Sequence, residues 1–155
     1  DKIDIGEDYC AYLPPDLFDE FVLPYTGKLV EQYKGEVICS LHTDGDVLPS
    51  GIQKLGELGI DELMGFSLNI DIKQYRKALP EVILGGNIHP INVMIEGTPE
   101  DVKEAARYCF ETASQNQKFV LCTGGAISAG AKEENVDAFL EAAYEIVRYE
   151  TVAAR

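Results

Sequence analysis

Two side chains that can bind a metal or exchange a proton follow the apolar run EVICSL at residues 36–41. His42 and Asp44 are separated by one residue, and side chains at this spacing point to the same side of an extended segment. The arrangement predicts a metal pair or an acid–base pair that faces one cavity. The same segment can instead be a simple turn, in which Asp44 accepts hydrogen bonds from backbone amides and Gly45 adopts positive φ.

Polar and glycine residues also follow two later apolar runs, and they are further candidates for contact with a substrate. Paired glycines in both places would let backbone approach a ligand closely, or would form tight turns between strand and helix. The histidine among these residues precedes a proline, which keeps its backbone extended, and a solvated loop histidine is the simpler interpretation. The sequence contains no dinucleotide fingerprint and no phosphate-loop motif. The candidates are Asn87 and His89, after residues 82–84, and Thr123 and Gly124, after residues 119–122.

Segments with the hydrophobic period of a helix alternate along the chain with short apolar runs typical of strands. This alternation predicts where the candidate residues lie in the fold. Apolar residues at helical spacing predict five helices, and short apolar runs predict four strands. The runs do not alternate apolar and polar residues, which is typical of parallel strands covered on both faces. The candidates would then lie past the carboxyl ends of strands, where both an open doubly wound sheet and a (β/α)8 barrel carry their active sites. The predicted helices span residues 14–33, 50–58, 70–79, 99–110 and 133–149, and the strands span 36–41, 60–66, 82–84 and 119–122, with a stub at 3–5.

Length and charge narrow the class of protein. The chain has 155 residues, 46% of them apolar, and a net charge of −14. This composition is typical of one globular α/β domain over residues 1–155, and no apolar stretch is long enough to span a membrane. The acidic balance and the lack of a basic patch argue against nucleic acid as a partner.

The cysteine pattern indicates a reducing compartment. No two of the four cysteines have the close spacing of a zinc ribbon or a redox pair. Cys39, Cys109 and Cys122 lie in apolar strand or helix patterns, where a buried thiol is the expected state. We therefore expect a cytoplasmic protein without a signal peptide. Because the chain begins at Asp1 rather than Met, we expect a fragment, a processed chain or an excised domain.

Five motifs, in order along the whole chain, resemble the C-terminal half of the uroporphyrinogen decarboxylase superfamily, which also contains the cobalamin-dependent methyltransferases. Each motif is weakly specific when taken singly, and their shared order and spacing carry the resemblance. The motifs are LPPDLF with FVLPY at residues 13–25, LHTDG at 41–45, GNIHP at 86–90, GTPEDV at 97–102, and GGAI with ENV at 124–136.

The resemblance implies a (β/α)8 TIM barrel, of which this chain would be the C-terminal half, with about four parallel strands and five helices. A complete barrel needs about 250 residues, so this chain is too short to close one. A half-barrel exposes sheet edges and apolar faces that are normally covered. We therefore expect it to associate with an N-terminal half-barrel or to form a homo-oligomer.

Departures from the superfamily's motifs bear on the activity. Decarboxylases carry G-H-G-I after the last strand, and here Gly125 stands at the histidine position. Their substrate-binding arginines and central aspartate belong to the N-terminal half. Zinc methyltransferases acting on coenzyme M use H-x-C and a later G-C, and here Asp44 and Gly125 stand at the two cysteine positions. Cys122 lies three residues before Gly125, a shift that changes the face of a strand.

The remaining H-x-D-G motif, preceded by Glu7 and Asp8, resembles the branch associated with corrinoid methyl transfer from O- or N-methyl compounds. The resemblance implies catalytic and metal-binding roles for His42, Asp44 and Glu7, with zinc as the candidate metal. A Lewis acid or general acid there would make the substrate heteroatom a better leaving group, while a corrinoid carried by a separate protein takes the methyl group. The alternatives are porphyrinogen decarboxylation, which requires cavity cations that clamp propionates, and an incomplete fragment without activity of its own.

Overall fold

A computed structural model describes the backbone of residues 1–153 and the side chains of residues 1–148. It contains one sheet of five parallel strands in the order β1-β2-β3-β4-β5. Every strand is followed by helical structure before the next strand begins, as parallel pairing requires. The strands are β1 (Lys2–Gly6), β2 (Ile38–His42), β3 (Glu62–Met64), β4 (Ile83–Ile88) and β5 (Phe119–Thr123). The helices are α1 (Pro15–Phe21), α2 (Leu23–Tyr33), α3 (Pro49–Glu57), α4 (Ile72–Ala78), α5 (Pro99–Ala113) and α6 (Glu133–Ala153), with 3-10 turns at Asp8–Tyr12 and Gln115–Gln117.

The first strand is longer than the sequence predicted. Residues 3–5 were expected to be a stub, but Lys2–Gly6 pairs with β2 along its whole length. Its charged residues are accommodated because Lys2 and Asp4 alternate with isoleucines and lie on the face of the sheet opposite Ile5. On that face, Lys2 Nζ lies 2.5 Å from Oε2 of the nearly buried Glu62. The sheet therefore has five strands rather than four.

The predicted helix over residues 14–33 is two helices. α1 ends at Phe21 and α2 begins at Leu23, with Pro24 in its first turn. Proline has no backbone N–H to donate and its ring clashes with the carbonyl four residues earlier, so a continuous helix would be disrupted here. The chain therefore has six helices rather than five in its described part. None of them, over the residues described, is both long and apolar enough to cross a membrane.

The fourth strand extends through residues that were predicted to be a turn. Gly85 and Gly86 lie inside β4, and the strand continues to Ile88. A Cβ at Gly85 would collide with the side chain of Met64 on β3. The glycines thus allow close packing on the sheet rather than a turn at its end, and Asn87 belongs to the strand. The other predicted elements are present, with bounds that differ by a few residues.

One face of the sheet forms the core with the helices. Leu41, Leu63 and Leu84 are paired neighbours on β2, β3 and β4, and all three are fully buried. Because side chains alternate along a strand, His42 lies on the opposite face from these leucines. The helix-covered core therefore holds the sheet in place, while the other face carries His42 among both polar and apolar side chains.

The cysteines are free thiols, as the sequence predicted. Cys10, Cys39 and Cys109 are buried, and Cys122 is partly buried. Burial raises the pKa of the Cys10 thiol to about 12 and that of the Cys122 thiol to about 11. Nearby carboxylates, Glu7 and Asp8, add to the shift at Cys10. These thiols are therefore neutral in the folded chain at pH values where they would ionise in the unfolded chain.

We expect the free energy of unfolding to fall as the pH rises from about 9 towards 12. The ordinary thiol pKa is near 9.0, whereas that of folded Cys10 is about 12, so the unfolded chain releases its proton first. The stabilisation is complete below the unfolded pKa and is lost as the pH rises, by at most about 1.4 kcal/mol per pH unit for each thiol. Urea unfolding at pH 8.0 and 10.5 measures the loss. In Cys10→Ala the loss should be smaller, and an equal loss would show that Cys10 does not cause it.

Candidate functional site

The candidate site lies at the edge of the sheet where the parallel strands end. His42 is the last residue of β2, and Thr123 is the last residue of β5. The 3-10 turn Asp8–Tyr12 follows β1. Glu7 N–H donates a hydrogen bond of 2.8 Å to the carbonyl of His42, which fixes the start of this turn beside β2.

The imidazole of His42 lies between two carboxylates. Its Nδ1 is 3.4 Å from Oδ1 of Asp8, and its Nε2 is 3.7 Å from Oδ1 of Asp44. One possible ligand atom from each of these three residues lies within 4.8 Å of the other two. We call these residues the His42 cluster. The turn interpretation predicted positive φ at Gly45, but the positive φ, 39°, belongs to Asp44 itself, whose carboxylate faces the imidazole.

Glu7, the third residue of the predicted set, lies outside the His42 cluster. Its Oε1 accepts a hydrogen bond of 3.0 Å from the hydroxyl of Thr26, which is fully buried on α2. Asp8, the next residue, provides the carboxylate beside His42 instead. Strand alternation predicts side-chain direction only while the backbone stays extended, and here the chain leaves β1 and enters a 3-10 turn between these two acids.

The structure brings Asn87 and Gly124 together. The Asn87 amide nitrogen donates a hydrogen bond of 2.5 Å to the carbonyl of Ser67. A Cβ at Gly124 would collide with the Asn87 amide oxygen and with Leu68, so only glycine fits here without rearrangement. The Asn87 amide oxygen is buried and has no hydrogen-bond partner among the described residues.

Thr123 and His89, the other predicted substrate contacts, hydrogen-bond to loop backbone. His89 Nδ1 accepts hydrogen bonds of 3.1 Å from the N–H groups of Ile91 and Asn92. The Thr123 hydroxyl donates to the carbonyl of Gly125. In this conformation His89 stabilises the loop after β4, in agreement with the simpler interpretation of a loop histidine.

A cavity of about 370 Å³ borders the His42 cluster and shares Asp44 with it. We call it the mouth cavity. Its walls come from the 3-10 turn after β1 and from the loops after β2, β3 and β5. The lining residues that carry polar side chains are Tyr12, Asp44, Asp46, Ser67 and Asn69, and the others are Ala11, Gly45, Gly65, Phe66, Leu68 and Gly124.

Asp46 is the functional candidate that the sequence did not indicate. The hydroxyl of Ser67 donates to its Oδ1, and the amide of Asn69 donates to its Oδ2 at 2.9 Å. Ser67 Oγ also accepts from the N–H groups of Asn69 and Ile70, both at 3.0 Å. The carboxylate is therefore held in a fixed orientation at the cavity wall. In the sequence, Asp46 looks like an ordinary turn residue, because its partners lie more than twenty positions away.

The arrangement of strands and helices corresponds to part of a barrel. The fold matches a solved methyltransferase from Methanosarcina mazei with a TM-score of 0.77 and 21% sequence identity. The match covers 95% of this chain and 42% of that chain. At this level of identity the likeness shows the fold, which is about two fifths of a TIM barrel of this kind.

Sequence comparison identifies the family. The sequence model described as uroporphyrinogen decarboxylase (URO-D) matches residues 2–146, and the chain belongs to this family. A uroporphyrinogen decarboxylase of Prochlorococcus marinus (strain MIT 9215) is 28% identical over 145 residues, which are 90% of this chain and 40% of that protein. The methylcobamide:CoM methyltransferase MtbA of Methanosarcina acetivorans is 28% identical over 117 residues, which are 68% of this chain and 33% of that protein. The chain thus spans about two fifths of the length of the first of these relatives, and the family predicted from its five motifs is confirmed.

Proposed function

We propose that this chain supplies part of the active site of a corrinoid-dependent methyltransferase that takes a methyl group from an O- or N-methyl substrate. The observation that carries the proposal is the His42 cluster, one imidazole between two carboxylates at the edge of the sheet where barrel enzymes bind substrate. The likeness to MtbA supports the same class of reaction.

The donor set of the His42 cluster fits a zinc ion. Zinc binds imidazole nitrogen and carboxylate oxygen at about 2.0 to 2.2 Å, and catalytic zinc sites combine these ligands. The two carboxylates face different ring nitrogens of His42. A zinc ion bound to one of these nitrogens can therefore have only the carboxylate on that side as a further ligand. His42 Nε2 and Asp44 face each other and would hold the metal. Asp8 would accept the proton on Nδ1, which orients the ring and fixes its tautomer, as carboxylates commonly do behind metal-bound histidines.

The residues of this chain have separate parts in the proposed reaction. Bound zinc would supply Lewis acidity that makes the methylated heteroatom a better leaving group. Asp8 keeps the proton at Nδ1 of His42, so Nε2 keeps its lone pair for the metal. The mouth cavity would position the substrate beside Asp44. The methyl acceptor would be a corrinoid carried by a separate protein.

Decarboxylation of a porphyrinogen is the second candidate, because several relatives of this chain are named uroporphyrinogen decarboxylase. Clamping of several propionates requires cations. No lysine or arginine lines the mouth cavity within the described part of the chain. Gly125, which stands at the histidine position of the G-H-G-I motif, has an open environment with no atom near its Cβ position. The lack of cations argues against decarboxylation for this half of the barrel, whereas Gly125 departs from the motifs of both activities.

The activity is expected to require the rest of the barrel. Apolar side chains are exposed on three helices: Phe21 on α1, Tyr25 on α2, and Leu140 and Tyr144 on α6. Exposed apolar faces of this kind normally contact a partner. We propose that an N-terminal half-barrel or a second copy of the chain covers them. Methyl transfer measured with and without an added N-terminal half separates an incomplete site from an inactive one.

We expect the purified, unchelated chain to contain close to one zinc ion per chain, and His42→Ala to lose it. His89→Ala is the matched control, because it removes the other histidine of the chain, whose Nδ1 contacts loop backbone. Asp8→Asn should weaken zinc binding by about 10- to 100-fold, the usual effect of removing an orienting partner. Elemental analysis and competition with a chromogenic chelator measure these changes.

Two results would contradict the metal assignment. One is a wild-type chain that takes up no zinc from a zinc-buffered solution. The other is an equal loss of zinc in His42→Ala and His89→Ala, which would place the ion elsewhere or reflect unfolding. Circular dichroism of each variant separates these two explanations.

A further inference from the structure

The charged side chains on the walls of the mouth cavity are acidic. Asp44 and Asp46 bring two carboxylates to these walls, and no lysine or arginine lines the cavity within the described part of the chain. Two backbone N–H groups on the walls donate to the protein itself: that of Gly124 to the carbonyl of Ile88 at 2.9 Å, and that of Asn69 to Ser67 Oγ at 3.0 Å. An anionic ligand would therefore meet two like charges.

The carboxylate of Asp46 has no cationic partner among the described ion pairs. Lys54 lines a neighbouring pocket together with Asp46. Its ammonium group forms an ion pair with Asp19 instead, with Nζ 2.6 Å from both carboxylate oxygens. In the proposed zinc site Asp44 is neutralised by the metal, whereas Asp46 stays uncompensated. Its fixed orientation between Ser67 and Asn69 then presents one negative charge to the cavity.

An aromatic side chain forms another part of the wall. Tyr12 lines the cavity from the 3-10 turn and is 75% exposed, whereas Phe66 is only 1% exposed and packs against the ring of Tyr75. The face of an aromatic ring attracts an organic cation, and a carboxylate beside it adds to this attraction. A ring, a fixed carboxylate and a cavity of about 370 Å³ together suit a small organic ammonium group.

We infer that the mouth cavity binds an ammonium group on the substrate, so that the methyl donor is a small organic cation whose methylated heteroatom faces the His42 cluster. This inference rests on the proposed function, because it places the reacting atom at the zinc site. The ammonium group serves as the point of recognition and takes no part in bond breaking. The net charge of −14 would also raise the local concentration of such a cation at low ionic strength.

The test measures by NMR how tightly tetramethylammonium chloride binds to the chain at low ionic strength. tert-Butanol serves as a neutral molecule of similar size, and pivalate as an anionic one. Tetramethylammonium should bind at least tenfold more tightly than either. Asp46→Asn should weaken its binding about tenfold, and Tyr12→Leu about threefold, in line with an exposed cation–π contact. Asp16→Asn, which removes the same charge from an exposed position on α1, is the control and should change binding little.

Equal binding of tetramethylammonium and tert-butanol, or tighter binding of pivalate, would overturn the inference. Equal weakening in Asp46→Asn and Asp16→Asn would also overturn it, since only net charge would then matter. Tyr12→Leu keeps the test valid if Asp46→Asn does not fold, because Tyr12 is an exposed residue. Zinc content is measured on the same samples. Zinc without selective ammonium binding overturns this inference alone, whereas a wild-type chain that takes up no zinc overturns the proposed function.

Discussion

Replacement of Arg76 with methionine should lower the free energy of unfolding by about 3–5 kcal/mol, because several buried carbonyls lose a donor and each one left unpaired costs about 1–3 kcal/mol. Arg76 is on α4 and is only 3% exposed. Its guanidinium has no carboxylate partner among the described hydrogen bonds and donates to backbone carbonyls instead. The acceptors are Leu79 (2.8 Å), Pro80 (3.4 Å), Val82 (2.8 Å), Ala113 (3.0 and 2.8 Å) and Lys118 (2.6 Å).

These contacts explain why the effect should be large. The carbonyls belong to the ends of α4 and α5 and to the segments that lead into β4 and β5. Helix ends leave carbonyls without intrahelical partners, and buried ones must be satisfied by another donor. Burial lowers the pKa of the Arg76 guanidinium, but an arginine stays charged at neutral pH. Methionine fills similar space but donates to none of these acceptors, of which the Lys118 carbonyl keeps a hydrogen bond of 3.1 Å from the N–H of Leu84.

Urea unfolding of Arg76→Met and of Lys77→Met measures the effect. Lys77 is the next residue on α4 and is exposed, so its variant removes the same charge without a buried network. Arg76→Lys should recover only part of the stability, because one ammonium group cannot reach acceptors spread around the planar guanidinium. Similar losses in Arg76→Met and Lys77→Met would mean that the carbonyl contacts contribute little.

The sequence predicted those elements whose local signals agree with the fold. α5 is an example: Thr98 and Asp101 form a capping box and Pro99 occupies the first turn, so the start of the helix is encoded within four residues. The break at Val22 was missed because the apolar pattern continues across it, although Pro24 marked the position. The full length of β1 was missed because Lys2 and Asp4 suggest a solvated segment.

The candidate site was predictable to the extent that it follows strand geometry. His42 and Asp44 were expected to face one side, and both belong to the His42 cluster. Asp8 and Asp46 depend on contacts that no local pattern contains. Asp8 reaches His42 from 34 positions away, through a 3-10 turn whose path the sequence does not show. Asp46 is fixed by Ser67 and Asn69, which belong to the loop after another strand.

Substitution of Gly65 by alanine should displace His42 and strongly reduce zinc binding in the proposed site. Gly65 follows β3 and has a φ of +62°, a conformation that residues with a Cβ adopt at a cost of about 1 kcal/mol. Its Cβ position lies against the His42 imidazole, at Nε2 and both adjacent ring carbons. Of these atoms, Nε2 faces Asp44 and would bind the metal in the proposed site. An alanine methyl group therefore has to push the ring away from Asp44, or the loop has to move.

Gly6→Ala is the matched control for this prediction. Gly6 is the register partner of His42 on β1, yet its Cβ position has no atom within 4 Å and its φ is not in the left-handed region. We expect Gly65→Ala to weaken zinc binding at least tenfold, with a loss of stability of about 1–2 kcal/mol, while Gly6→Ala keeps the affinity of the wild type. Chelator competition and urea unfolding of the same samples separate the two effects. Unchanged zinc affinity in a folded Gly65→Ala chain would show that Nε2 of His42 is not the metal ligand, because the methyl group occupies the space on that side of the ring.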